Sequence, residues 1–182
     1  LFNEMIVQSR FDDGKRMQEI IQEIKSNWDM NLFRRGQQLV TNRVLSYVSP
    51  IAQYNEIGML LFYDFISDLE KNFTAKSAEL SSQLEKAAKL IFSKENLLVS
   101  VTIEDDNYLK FKESFSKFAG FLPTRKQSIE KYRFEVIQRN EGLMTSGKVQ
   151  YVVKGANFRR LGYSYHGSLK VLETILRYDY LW

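Results

Sequence analysis

The sequence predicts an α+β fold, helix-rich layers packed on a short β-sheet, and three observations carry that reading. Successive segments with helical apolar spacing fill the first half of the chain. A run rich in β-branched residues then breaks that period at 97–103. Beyond a polar, aperiodic stretch near Pro123, two strand-like segments precede a closing amphipathic helix.

The elements follow in order. Phe2, Met5 and Ile6 already stand at helical spacing, and Asp12 or Asp13 can cap the helix that follows. Met17, Ile20, Ile21, Ile24 and Trp28 recur at i, i+3 and i+4 and mark its apolar stripe. A second helix is expected from about Asn31 to Val48. It ends at Ser49-Pro50, because the residue before proline is driven out of the α region. Ile57, Leu60, Leu61, Phe65 and Leu69 predict a third long helix over about 54–73. Thr74 then offers a cap to a fourth, whose stripe is Leu80, Leu84, Ala87, Ala88 and Ile91. Consecutive amphipathic helices with short joints must stack on one another or on a sheet.

Leu97 to Ile103 reads as a buried strand, since apolar β-branched runs suit a pleated, covered surface. Glu104-Asp105-Asp106 suits a helix N-terminus, where acidic groups face the positive end of the helix dipole. Tyr108, Phe111, Phe115 and Phe118 form that helix's apolar face, and Gly120 is its expected stop. Residues 122–131 are the candidate linker. Strands are then expected at about 132–138 and 148–154, with a turn near Asn140-Glu141-Gly142, and a final helix carries Leu169, Leu172, Ile175 and Leu176. Both ends read as cut within apolar helical patterns, where natural termini are usually polar.

Composition narrows the function. The chain has 182 residues and no cysteine, so disulfide frameworks, thiolate zinc sites and thiol catalysis are excluded together. The net charge of +4 is spread along the chain in short pairs such as Arg34-Arg35 and Arg159-Arg160, so no nucleic-acid stripe is expected. No apolar run approaches the roughly 18 residues of a membrane span, so no membrane partner is expected. Without a charged-then-apolar leader, the expected compartment is the cytoplasm, or an organelle matrix in a eukaryote.

Catalytic constellations are missing. His166 is the one histidine, and neither H-E-x-x-H nor H-x-x-E-H occurs; it reads as a surface or capping residue. Gly162-x-Ser164-x-His166 lacks the second glycine of a nucleophile elbow, and no further histidine could serve as base. Ser146-Gly147-Lys148 lacks the frame of a phosphate loop, and the acidic run at 104–106 lacks the spaced carboxylates of a calcium loop.

Four stretches taken in order carry a family resemblance. They are Phe62-Tyr63-x-Phe65-x-x-x-Leu69-Glu70-Lys71; Asn96-Leu97-Leu98-Val99-Ser100-Val101-Thr102; Asn140-Glu141-Gly142 with Val149-Gln150-Tyr151-Val152-x-Lys154-Gly155-x-Asn157; and Gly162-Tyr163 through Gly167-Ser168 to Tyr180-Leu181-Trp182. In this order the whole chain resembles the second half of the presequence-protease branch of the pitrilysin/insulinase zinc metalloproteases. The resemblance implies four related α/β domains closing around peptides. Residues 1–126 would be the latter part of the third and 127–182 the start of the fourth. It implies zinc in the parent enzyme, held by an inverted motif in the first domain, and none held by this chain. The family's assisting Arg and Tyr fall beyond the equivalent of Trp182, so no catalytic or metal residue transfers to any position here. Implied partners are the remaining protease domains and unstructured peptides. Tyr151, Lys154 and Asn157 are the expected peptide-contacting residues, because strand edges pair with peptides with little regard to sequence. The alternative is a catalytically silent peptide-binding or structural subunit related to such proteases. A self-contained helical adaptor or nucleic-acid module is disfavoured by the scattered charge.

Overall fold

Asp13 opens the first long helix as expected: its carboxylate accepts the Arg16 N–H at 3.0 Å, satisfying an amide that the first turn leaves without a partner. In this computed structural model the described residues are 4, 6, 8–124, 128, 130–134, 139–145 and 147–180. Helix α1 spans Gly14–Arg34 and α2 spans Gly36–Ser46. They are separated at Arg35, whose φ of −120° and ψ of 20° lie outside the helical region just before a glycine. Helix α2 stops at Ser46, short of the expected Val48, and Ser49 caps the next helix. Its hydroxyl accepts the Ala52 N–H at 3.4 Å, with Pro50 at the first position of α3, Pro50–Ile57.

The expected helix over 54–73 is two helices. Gly58, at φ −90° and ψ 11°, closes α3, and α4 begins afresh as Leu60–Lys71. Helix α5 is Phe73–Ile91, with Asn72 rather than Thr74 at the position before its first turn and no side-chain cap there. A 3₁₀ turn, Lys94–Asn96, leads into irregular chain, and α6 is Asp105–Gly120 behind Glu104. Helix α7, Ser168–Ile175, runs into a π-helical turn at Leu176–Tyr180.

The α+β expectation is corrected here: the described residues are helical or irregular, and none of them forms a strand or a sheet. Leu97 and Glu104 have extended backbone angles, so the run between them keeps the conformation its β-branched residues favour at either end. It finds no neighbouring strand among the described residues, and Leu98 is 94% exposed where a buried strand was expected. Residues 148–154 likewise carry no ladder. Of the strand expected at 132–138, residues 135–138 lie outside the described residues, as do Phe2 and Met5 of the opening helical pattern.

Two compact units divide the chain, with the division falling inside α1 and α4. The first comprises residues up to Trp28 and Asp64–Arg133. Its core holds Ile21 from the predicted stripe of α1, Ile66 and Leu69 of α4, and Leu122. The Ser81 hydroxyl of α5 donates to the Phe11 carbonyl at 2.5 Å, and the Lys94 N–H donates to the Pro123 carbonyl at 3.0 Å. Along α6 the Phe111 and Phe115 rings stack with centroids 5.5 Å apart and Phe118 meets Phe115 at a tilt, 5.8 Å away, as their spacing predicts. The second unit comprises Asp29–Tyr63 and the residues from Phe134 onward, with Leu39 and Leu60 buried.

Candidate functional site

The most polar interior of the second unit is built around Arg43 on α2. An arginine presents a planar fork of donors, and here carboxylates from two separate parts of the unit receive it. Glu56 of α3 is 1% exposed, and its Oε1 lies 3.2 Å from Arg43 Nη1. Glu141 meets the other edge of the guanidinium: Nε donates to Oε2 at 2.8 Å and Nη2 to Oε1 at 3.1 Å. Tyr47, one helical turn beyond Arg43, donates its hydroxyl to Glu141, and its ring lies 5.7 Å from the guanidinium carbon. Arg139 stands at the rim, 3.9 Å from Glu141.

The electrostatics follow from that geometry. The bidentate hydrogen bonds from Arg43 hold the Glu141 carboxyl down at about 2, against a smaller opposing effect of burial. Arg43 itself is raised, chiefly by its hydrogen bonds to Glu141. The Tyr47 phenol is raised, first by burial and then by its hydrogen bond to the same carboxylate. Two cations face two carboxylates, so the cluster is balanced within itself. Such an arrangement positions elements and supplies no surplus charge to draw an ion.

The three expected peptide-contacting residues lie in the same unit. Tyr151 lies with its ring over Gly36, where a Cβ would come within 2.7 Å of the ring edge. Lys154 is exposed. Asn157 donates its side-chain amide to the Val48 carbonyl at 3.0 Å, and its side-chain oxygen accepts the Arg159 N–H at 3.0 Å. The Arg43 cluster was not singled out from sequence. Arg43 and Glu141 are too far apart in the chain for any periodic pattern to couple them.

His166 takes the capping role its place before α7 suggested. Its Nδ1 accepts the Ser168 N–H at 3.2 Å and lies 3.0 Å from the Ser168 hydroxyl. The acidic run at 104–106 starts α6 as expected. Among the described residues no group of three His, Cys, Asp or Glu side chains could hold a metal ion, and no helix is long and apolar enough to cross a membrane. Shallow hollows on α6, beside Leu109 and Lys112, and on α7, beside Leu169 and Leu172, each lie on the outside of one helix.

Residues 1–69 match the family described as peptidase M16 (subfamily C) associated. The whole chain is 37% identical, over 183 aligned residues, to Protein HypA of Clostridium perfringens (strain 13 / Type A), where the match covers 19% of that protein. It is 22% identical over 184 residues, again the whole chain, to Presequence protease 1, chloroplastic/mitochondrial, of Arabidopsis thaliana, covering 17% of it. The chain thus spans about a fifth of the length of these curated relatives. No solved structure matches it.

Proposed function

We propose that this chain is a non-catalytic, substrate-chamber-forming part of a zinc metalloendopeptidase of the peptidase M16 type that degrades peptides. The observation that carries the reading is the alignment of the entire chain with a presequence protease. It is supported by an interior whose charges are mutually compensated and so suited to holding helices in place. In this reading residues 1–126 are the latter part of the third protease-like domain and 127–182 begin the fourth. The zinc and its ligands belong to another part of the parent, whose remaining domains are this segment's partners. The compartment is the cytoplasm, or an organelle matrix in a eukaryote.

Tyr151, Lys154 and Asn157 are the proposed peptide contacts. Lys154 offers an exposed cation. Tyr151 offers a ring edge beside Gly36, and Asn157 holds the end of the same segment to Val48. The test is steady-state hydrolysis of an unstructured peptide by the parent enzyme carrying Tyr151→Ala with Lys154→Ala. The reading expects a raised KM with kcat retained, the signature of lost ground-state binding. An unchanged kcat/KM would remove these residues from the substrate path. A parent that lacks a metal-ligating motif would leave the alternative, a silent peptide-binding or structural subunit.

A further inference from the structure

Residues 147–157 have no regular secondary structure, yet they meet α1, α2 and the chain just beyond them in strict order. Gly147 faces the Phe33 ring, where a Cβ would stand 3.6 Å from Cδ1. Tyr151 lies over Gly36 at the start of α2, and Gly155 meets Val44 in its last turns, where a Cβ would come within 2.7 Å of Cγ1. Asn157 then bonds the Val48 carbonyl beyond the helix end. The helical rise from Gly36 to Val44 is about 12 Å. Chain from Tyr151 to Gly155 can cover about 14 Å, enough to span that rise, and the order of its contacts runs in the same direction as α2. Close contact at Gly36 and Gly155 explains the residue type at both: any side chain there would push the two pieces apart.

We infer that residues 147–157 form a strap along α2, and that the Arg43–Glu141 pair is the latch that holds this strap down. The latch sits ahead of the strap in sequence and reaches α2 in its last turn, at the residue before the Val44 contact. The other contacts are one amide hydrogen bond and small apolar touches at glycines, each weak alone. A bidentate, charge-assisted pair is the strongest single attachment among them. Glu141 can be neutralised without stripping Arg43 from buried Glu56, so the latch can be opened while the α2–α3 pair keeps its own ion pair. The strap does not depend on peptides being its ligand; it is a property of this unit of the fold.

The experiment is limited trypsin digestion of the full chain, with cuts mapped by mass spectrometry. Cleavage after Lys148 and Lys154 reads the strap, cleavage after Arg43 reads α2, and cleavage after Lys110 and Lys112 reads α6 as a control. When reclosing is fast, cleavage rate follows the population of the open form. Glu141→Gln is expected to speed cuts after Lys148 and Lys154 by about tenfold, corresponding to about 1.4 kcal/mol of opening free energy, with those after Arg43, Lys110 and Lys112 unchanged. Arg43→Lys, which keeps the charge but loses the fork, is expected to give a smaller rise at the same two places. Wild-type rates at Lys148 and Lys154 in Glu141→Gln would overturn the latch. So would an equal rise after Arg43, or loss of the helical circular-dichroism signal, since either makes the strap and α2 one cooperative piece.

Discussion

The two compact units use the same ion-pair chemistry in opposite settings. In the first, Asp68 pairs with Lys76 and accepts a hydrogen bond from Asn72 on the surface, while the buried side chains are uncharged: Ile21, Ile66, Leu69, Leu122 and Ser93. In the second, Arg43 carries its charge inward to a nearly inaccessible Glu56 and clamps Glu141, beside an apolar core of Leu39 and Leu60. Exposed pairs exchange solvation for little gain, whereas a buried carboxylate depends on the cation that compensates it. The lesson is that the acidic and basic residues, evenly scattered in sequence, are not equivalent: a few of them do in the second unit what aliphatic side chains do in the first.

That contrast can be broken in four places. The largest expected effect is Arg43→Met, which removes the cation from both carboxylates and should cost about 3–5 kcal/mol of the second unit's stability in denaturant unfolding. Leu69→Ala tests the other interior. A cavity at a buried leucine should cost about 2–4 kcal/mol, read as faster proteolysis in α4 and α5 while Lys148 and Lys154 keep their rates.

The third is acidification. Glu141 is held at about 2 in the folded chain against an ordinary 4.5, so the folded form keeps the carboxylate charged to lower pH than the unfolded form does. The stabilisation it provides is complete above about 4.5 and is lost as pH falls towards 2. Thermal melts from pH 6 to pH 2 should therefore show a steeper acid loss in wild type than in Glu141→Gln. Parallel curves would remove the carboxylate from the account. The smallest effect is at Asp68. Its carboxyl is lowered chiefly by the Lys76 hydrogen bond, yet the pair is exposed, so Asp68→Asn should leave the melting midpoint unchanged.

Much of this was legible in the sequence, and the failures share a cause. The stripe containing Ile21, the Asp13 cap, the Ser49-Pro50 junction, the acidic start of α6 and the capping role of His166 are local features, set by neighbours within one or two turns. The family resemblance was legible too, because it rests on the order of motifs along the whole chain, and the whole-chain matches bear it out. The strand at 97–103 was not, because a β-branched run states a backbone preference and says nothing about a partner strand. Splitting of the 54–73 helix turned on Gly58, whose weak helix propensity the apolar spacing on either side concealed. Arg43 with Glu141 could not be read at all: a pair so distant in sequence leaves no period, and its worth comes from burial. Tyr151, Lys154 and Asn157 drew attention as strand-edge residues, and the structure brings two of them against α2 and the chain just past it.

The central claim is that this segment shapes a peptidase without performing its chemistry. The most direct measurement is metal content together with peptide hydrolysis on the purified chain, zinc counted by elemental mass spectrometry after dialysis against zinc. The account predicts no stoichiometric zinc and no cleavage of an unstructured peptide above the buffer control. One zinc per chain, with cleavage abolished by a chelator, would contradict it.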